Sequence, residues 1–270
     1  EDVLKQAKTW AEEAKRWAFT EPYARFFAVY PYDAIPSKLT LSPKSNTSTP
    51  YVTIDVKENV SQQIDLMTAC SGETPIHYAT QGTAPTVPLK FQHAMTAIRF
   101  KVGSNLSPDH KITKIVITKA MSQGKFTLPS SVLSTTGADL DNAWSEVTSP
   151  KDFTLSDIEA PTKGNVNALI VGRDGKNETF YMIPQELTGK GMYIHVYFDG
   201  EATPAIKIPL KGTWKAGTTK TYALSQSANS YKYVFSVEAP KDSAAYDATL
   251  SSQFKVISYY QDGKVQKKVK

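Results

Sequence analysis

The sequence predicts an almost all-β protein, and three observations support this. Short runs rich in β-branched and aromatic residues follow one another from residue 23 onward, separated by Pro, Gly, Ser, Asn and Asp. Several of these runs alternate apolar and polar side chains with the period of two that a strand requires. Convincing helical spacing of apolar residues occurs in one segment, residues 2–18, where Trp10 and Trp17 join an alanine-rich stripe. We therefore expect a sandwich of antiparallel strands with a short N-terminal helix.

The alternation defines the clearest strands. In Ala94–Val102, Ile98 and Phe100 share one face, whereas Arg99 and Lys101 share the other. Lys111–Thr118 is a near-continuous apolar run, which indicates burial on both faces. The predicted strands are Tyr23–Tyr30, Lys38–Ser42, Tyr51–Val56, Val87–Phe91, Ala94–Val102, Lys111–Thr118, Gly124–Leu128, Ala168–Val171, Thr179–Ile183, Met192–Phe198, Ala205–Pro209, Thr219–Leu224, Tyr231–Val237, Gln253–Tyr260 and Lys264–Val269.

A loop-rich stretch divides the chain. Residues 129–166 contain several Pro and Gly residues and few strand signals, so we place a domain boundary at 160/161. The predicted organisation is an N-terminal helix (1–18), an N-terminal β-sandwich (19–160) and a C-terminal β-sandwich (161–228). Residues 229–270 are expected to form further strands that either complete the second domain or begin another one.

Composition excludes several classes of function. The chain has 270 residues, 40% hydrophobic and 21% charged, which suits a globular protein with its own core. The net charge is +5, but the lysines are spread along the chain instead of being gathered beside aromatic residues, so we predict no nucleic-acid partner. No apolar run is long enough for a transmembrane helix. The first residues are too charged for a signal peptide, so any export signal is expected to lie outside this chain.

Catalytic and metal-binding motifs are missing from the sequence. It has no phosphate loop, no dinucleotide fingerprint, no zinc-protease motif and no nucleophile elbow. Cys70 is interpreted as a buried or loop thiol, not a nucleophile, and the acidic run at Asp139 departs from a calcium loop at Ala143 and Trp144. Trp144 is the best candidate for a sugar platform, although packing is the favoured interpretation. The four histidines show no metal-ligand spacing: His77, His93, His110 and His195. We predict a non-enzymatic protein without cofactor or metal.

A family pattern is carried by residues 89–102. They read Leu-Lys-Phe-Gln-His-Ala-Met-Thr-Ala-Ile-Arg-Phe-Lys-Val and resemble the L-x-F-x-H-A-x-x-x-I-x-F-x-V signature of fimbrillin-like proteins from Bacteroidetes-type bacteria. As in that family, a strand and then a Gly-containing turn at Gly124 are expected to follow. Three other elements also match: D-L-x-x-A at 65–69, I-P-Q at 183–185 and W-x-x-G-x-x-x-x-Y at 214–222. The residues that carry these motifs, expected to be structural, are Leu89, Phe91, His93, Ala94, Ile98, Phe100, Ile183, Pro184, Gln185, Trp214, Gly217 and Tyr222.

The resemblance implies two tandem transthyretin-like β-sandwich domains and a surface protein that does no catalysis. The implied function is that of a fimbrial (pilus) subunit or adhesin, which mediates cell adhesion and assembles with other pilin subunits by β-strand exchange. Export as an outer-membrane lipoprotein precursor to the cell surface or fimbrium is also implied, with the lipid anchor outside this chain. Proteolytic maturation is expected near Arg16 or Arg25. The alternative is a monomeric outer-membrane lipoprotein that binds a glycan or a host-surface ligand.

Overall fold

The structure, a computed structural model, describes most of the chain between residues 20 and 225 and three strands beyond it. The described residues are 20, 23–34, 38–43, 48–83, 85–104, 106, 110–130, 138–173 and 179–225, with the backbone of 232–238, 255–262 and 265–268. The predicted N-terminal helix, residues 2–18, lies outside them.

Strands dominate the described residues, which confirms the predicted all-β class. These residues contain one short helix, α1 (Ala138–Asn142), and two 3₁₀ turns, Tyr32–Ala34 and Val60–Gln62. The strands are β1 (Tyr23–Ala24), β2 (Phe27–Tyr30), β3 (Leu39–Leu41), β4 (Tyr51–Asp55), β5 (Met67–Cys70), β6 (Ile76–His77), β7 (Gln92–His93), β8 (Thr96–Val102), β9 (Lys111–Thr127), β10 (Trp144–Leu155), β11 (Ala160–Pro161), β12 (Phe180–Met182), β13 (Gln185–Glu186), β14 (Tyr193–Phe198), β15 (Ile206–Pro209), β16 (Thr213–Trp214), β17 (Thr219–Leu224), β18 (Lys232–Glu238), β19 (Lys255–Asp262) and β20 (Val265–Lys268).

The largest sheet is built on β9. It has seven strands in the order β15-β14-β9-β4-β3, with β10 and β11 also paired to β9. The first part of β9 pairs with β14 and its last part pairs with β4. The other edge of β9 pairs with β10 and β11. A single strand of 17 residues therefore holds four neighbours in place.

A bulge in β9 changes which of its residues face the core. Ile115 and Ile117 are fully buried before the bulge, and Ala120 and Phe126 are fully buried after it. The change from odd to even numbers is what one extra residue does to a strand whose side chains alternate with a period of two. Lys119, at the change, has a positive φ of 58°. The two halves of β9 can therefore both bury apolar side chains in one core.

A three-stranded sheet covers the other side of the core. Its order is β12-β8-β17, with β12 antiparallel and β17 parallel to β8. Alternate residues of Thr96–Val102 are buried, as the sequence predicts. The Phe100 ring meets Phe180 edge to face at 5.6 Å and stacks on Tyr222 at 5.9 Å. Phe100 is thus a central core residue of this sheet.

The prediction that Gly124 forms a turn is wrong. The predicted strands Lys111–Thr118 and Gly124–Leu128 are one continuous strand, β9. A Cβ atom at Gly124 would lie 3.0 Å from the Trp144 ring, so glycine makes room for that ring within the sheet. Glycine at a close approach looks the same in a sequence as glycine at a turn.

Two further strand predictions and one loop prediction are corrected. Val87–Phe91 is not a strand, and pairing begins only at β7; Pro88 has no N–H to donate to a ladder. Ala168–Val171 supplies one isolated bridge, between Lys101 and Leu169. The stretch predicted to be loop-rich, 129–166, contains the 12-residue strand β10. Most residues of β10 are exposed or half-buried, and its many polar residues hide the strand in the sequence.

Strands from both sides of the predicted boundary at 160/161 hydrogen-bond to each other. β14 pairs with β9, and β12 and β17 pair with β8. One cluster of buried residues includes side chains from both segments. Beyond residue 225, the described backbone forms a three-stranded antiparallel sheet in the order β18-β19-β20, at the positions where strands are predicted.

Replacing Phe100 tests the assignment of the core. Phe100→Asp should abolish the cooperative unfolding transition of the domain, because a carboxylate would replace a ring that is 1% exposed. Circular dichroism during thermal unfolding measures this. Lys101→Asp is the matched control, since Lys101 lies on the opposite face of β8 and is half-buried. An unchanged melting temperature for Phe100→Asp would contradict the assigned core.

Candidate functional site

The signature residue His93 ends β7, and Ala94 follows it before β8 begins. His93 Nδ1 is 2.8 Å from Asp65 Oδ2, at the surface. Ala94 is fully buried, and its N–H donates to the Leu66 carbonyl at 2.8 Å. The Ala94 carbonyl accepts a hydrogen bond from Trp144 Nε1 at 2.8 Å. The signature is thereby joined to the D-L-x-x-A element and to the start of β10.

The W-x-x-G-x-x-x-x-Y element reaches the same place. Thr96 Oγ1 donates to the Lys215 carbonyl at 2.8 Å, and the Gly217 N–H donates to the Met95 carbonyl at 2.9 Å. Gly217 has a φ of 65°, and a Cβ atom there would lie 3.2 Å from the His93 carbonyl oxygen. We call residues 65–66, 93–97, 144 and 214–218 the motif junction.

Trp214 and Tyr222 attach the motif junction to the three-stranded sheet. Trp214 is 1% exposed, and its Nε1 donates to the Tyr222 hydroxyl at 3.0 Å. Burial raises the pKa of the Tyr222 phenol above its ordinary value, and the hydrogen bond from Trp214 opposes that shift. Because Tyr222 also stacks on Phe100, the two motif aromatics link the turn at Gly217 to β8.

The I-P-Q element supports the bend in β9. Gln185 Oε1 accepts a hydrogen bond from the Met121 N–H at 3.0 Å, and Gln185 Nε2 donates to the Ile183 carbonyl at 2.9 Å. Ile183 and Pro184 are buried. Met121 lies between the part of β9 that pairs with β14 and the part that pairs with β4, so its N–H has a side-chain acceptor where no strand supplies one. The sequence does not reveal this role, because it does not show where the neighbours of β9 end.

A neighbouring carboxylate fastens the ribbon formed by β13 and β16. Glu186 accepts hydrogen bonds from the Thr213 hydroxyl at 2.7 Å and from the Thr188 N–H at 3.0 Å. These bonds lower the pKa of Glu186 to about 2. The carboxylate therefore stays charged, and keeps both bonds, throughout the physiological pH range.

Leu89 and Phe91, two motif residues named from the sequence, lie outside the motif junction and near the surface. Leu89 is 37% exposed, and Phe91 is half-buried. The junction also contains Trp144, which is not one of the motif residues. Asp141 contacts the junction from outside, since Asp141 Oδ1 accepts a hydrogen bond from the Ala216 N–H at 2.6 Å.

The surroundings of the residues considered for metal, thiol or sugar chemistry are those of ordinary folded segments. Among the described residues, no group of three or more His, Cys, Asp or Glu side chains is placed to hold a metal ion. Cys70 is half-buried at the end of β5. The Trp144 ring meets Phe126 edge to face at 5.2 Å and is half-buried against the core, the packing favoured from the sequence.

The two edges of the three-stranded sheet differ. At the β12 edge, the outward N–H of Tyr181 donates to Gln63 Oε1 at 2.8 Å, so a side chain caps it. At the other edge, the Thr218 carbonyl accepts a hydrogen bond from the N–H of Ala97 in β8. The Leu224 carbonyl accepts one from the N–H of Gly103, just after β8. Backbone groups alternate in direction along a strand, so Thr219, Thr221 and Ala223 direct theirs outward. No described strand pairs with that side of β17.

Arg25 ties the segment between β1 and β2 to two loops. Its Nε donates to the Gly72 carbonyl and its terminal nitrogen donates to the Ser130 carbonyl, both at 3.1 Å. The guanidinium also lies 5.2 Å from the Phe27 ring centroid. Arg25 is nevertheless exposed, and β1 is held by only two residue pairs with β6. Arg16, the other predicted maturation residue, lies outside the described residues.

Replacing Gly217 tests the close packing of the motif junction. Gly217→Ala should lower the free energy of unfolding by about 1–2 kcal/mol for the left-handed backbone alone, and further because the added methyl meets the His93 carbonyl. Gly189→Ala is the matched control, since Gly189 has a φ of 74° and nothing within 4 Å of the added atom. Urea titration measures both. Equal losses would show that the contact with His93 contributes nothing.

Comparison with known proteins gives the context for this geometry. Three crystal structures of Bacteroides proteins, each described as a "putative cell adhesion protein", are similar to the chain. The B. uniformis ATCC 8492 protein is 15% identical, and the match covers 89% of this chain and 73% of that chain with a TM-score of 0.40. The B. ovatus ATCC 8483 protein is 16% identical over 74% of this chain, with a TM-score of 0.42, and the chain spans 62% of its length. The B. thetaiotaomicron VPI-5482 protein is 12% identical over 70% of this chain and 76% of that chain, with a TM-score of 0.32.

A search of curated proteins and a family match complete the comparison. A search of curated proteins finds no match. Among the described residues, no helix has the length and apolar character needed to cross a membrane. The family described as Fimbrillin-like matches residues 3–241, which is most of the chain. This protein therefore belongs to the fimbrillin-like family.

Proposed function

We propose that this chain is a fimbrial subunit or adhesin that assembles with other pilin subunits by adding a β-strand at the outer edge of β17. The observation that carries the proposal is the difference between the two edges of the three-stranded sheet. A side chain caps β12 at Tyr181, whereas no described strand covers β17. An incoming strand would satisfy the outward backbone groups of β17.

The side chains of β17 suit an edge that is open in the isolated chain. Its residues from Thr219 to Thr221 and Ala223 are exposed, and the only charge among them is that of Lys220. Polar and charged residues on an edge oppose indiscriminate pairing. A specific partner strand is expected to place its own apolar side chains next to Tyr222 and Leu224, which face the core side.

The domain organisation is part of this proposal. The division into β-sandwiches at 19–160 and 161–228, each of transthyretin-like topology, stays a prediction. The pairing of β14 with β9, and of β12 and β17 with β8, supports a shared core instead. We propose that both segments fold as one unit and that residues 229–270 add a further β unit.

Maturation by an arginine-directed protease at Arg25 is proposed beside strand addition. A cut after Arg25 separates β1 from β2, and β1 is joined to β6 by two residue pairs and by the stacking of Tyr23 on His77. Export as a lipoprotein precursor and display at the cell surface or fimbrium are proposed from the family alone. The proposed role is adhesion and assembly, without catalysis or a cofactor.

Blocking the β17 edge tests strand addition. Thr221→Pro removes one outward N–H and places a ring where a partner strand would approach, while the bonds from β17 to β8 stay intact. We expect the variant to lose end-to-end association at high concentration, measured by multi-angle light scattering and negative-stain electron microscopy. Thr221→Val is the matched control, because it keeps the N–H and should assemble normally.

Two results would contradict strand addition at β17. One is Thr221→Pro assembling as well as the unmodified chain, with an unchanged melting temperature. The other is an unmodified chain that stays monomeric both before and after cleavage at arginine.

Limited digestion with an arginine-specific protease tests the maturation site. We expect a product that begins at Phe26 and associates more readily than the uncut chain, because β1 is released. Arg25→Gln should abolish this product while leaving cleavage at other arginines unchanged. N-terminal sequencing and light scattering measure the two effects. A product that begins at Trp17 would instead identify Arg16, and an Arg25 product with unchanged association would separate cleavage from assembly.

A further inference from the structure

The outward face of β14 carries an aromatic row that the assembly proposal does not use. Ile194, Val196 and Phe198 are buried, so Tyr193, His195 and Tyr197 lie on the opposite face of the sheet. Tyr193 is 40% exposed, and its ring lies 6.2 Å from that of His195. From Tyr193 to Tyr197 the row spans about 13 Å, at roughly 3.3 Å per residue.

Lysines from the two neighbouring strands flank this row. Lys114 of β9 pairs in register with Tyr197, and its Nζ lies 3.9 Å from the Tyr197 ring centroid. Lys207 of β15 is directly opposite His195 in the ladder and is exposed. We call Tyr193, His195, Tyr197, Lys114 and Lys207 the β14 face.

The lysines are the cations of this face at neutral pH. Burial lowers the pKa of His195, Lys207 lowers it further, and Asp152 of β10 opposes the shift. Asp152 already accepts a hydrogen bond from the Lys119 N–H, so its carboxylate is engaged with the backbone. The β14 face therefore combines aromatic rings with positive charge.

We propose that the β14 face binds an acidic oligosaccharide, one whose sugar rings carry carboxylates. Aromatic rings present a negative π surface that attracts the C–H groups of a sugar ring. Two lysines on opposite sides of the row match the carboxylates by charge and would steer the ligand to it.

A second protein chain fits this face less well. A stable protein interface buries about 800 Å² on each partner, with an apolar, uncharged centre. Among the large hydrophobic residues of this face, only Tyr193 is strongly exposed. The aromatic row also has a lysine on each side, Lys114 and Lys207. A polar ligand with hydroxyl groups and negative charge is the better complement.

Titration with trigalacturonic acid, by isothermal calorimetry at low salt, tests the proposal. We expect binding that weakens about tenfold when the uncharged methyl ester of the same sugar replaces the acid, since two partly exposed ion pairs are lost. Raising the salt concentration should also weaken binding of the acid, by screening. Equal binding of acid and ester, or binding of neither, would overturn the proposal.

Matched lysine variants separate the β14 face from net charge. Lys114→Gln with Lys207→Gln should weaken binding of the acid about tenfold. The control pair is Lys125→Gln with Lys220→Gln, which removes the same charge. Lys125 also lies over a tyrosine ring, that of Tyr51, at 4.4 Å. Equal weakening by the two pairs would show attraction to net charge alone and overturn the site.

Tyr193→Ser tests the aromatic contribution. It should weaken binding of the acid about tenfold with little change in melting temperature, since Tyr193 is strongly exposed. Unchanged affinity would contradict the proposal, and so would a loss of self-association in this variant, which would assign the face to a second copy of the chain. Thr221→Pro should bind the acid normally, so failure of strand addition and failure of glycan binding are distinguishable.

Discussion

The buried backbone between β7 and β8 is the constraint on which the rest of the structure depends. Ala94 is fully buried, so both of its backbone groups need protein partners. Those partners, Leu66 and the Trp144 indole, come from segments far apart in the sequence. An unmade bond at such a buried group costs about 1–3 kcal/mol, so the correct junction is strongly favoured over alternatives. Gly217 then brings the C-terminal part of the chain onto the same few residues.

The family signature therefore describes how the two sheets are joined. His93, Ala94, Trp214 and Gly217 meet in the motif junction, and Gln185 supports the bend in β9 nearby. The contacts of these side chains and their backbone are hydrogen bonds and packing that hold segments of the chain together. The junction instead fixes where β17 starts, because Thr218 is its last residue and already bonds to β8. Function is consequently more reasonably sought on the edges and faces that the junction positions than among the signature residues themselves.

Alternation of side chains was sufficient to predict β4, β8 and β14, since each has one face in the core and one toward solvent. It failed for β10, whose polar residues give no such contrast, and it divided β9 at Gly124. Side-chain caps such as Gln63 on β12 could not be predicted, because they depend on which strand lies at an edge. The motif residues were found through resemblance, but their meeting point required the fold. Trp144 shows this. In the sequence it is an aromatic residue next to an acidic run and looks like a loop residue, and only the fold shows that its indole N–H donates to the Ala94 carbonyl.

The two proposed activities use separate strands, and this separation has a physical basis. Strand addition depends on backbone groups at a sheet edge, and β17 offers them because its parallel pairing with β8 occupies only one side. Glycan binding depends on side chains across a sheet face, and β14 offers them because it lies inside its sheet between β9 and β15. An inner strand has no free backbone groups to recruit another subunit, while an edge strand with small polar side chains offers no aromatic row. Because β14 and β17 belong to different sheets, one can engage a partner strand while the other holds a ligand. A subunit built in this way can adhere without giving up its place in a filament.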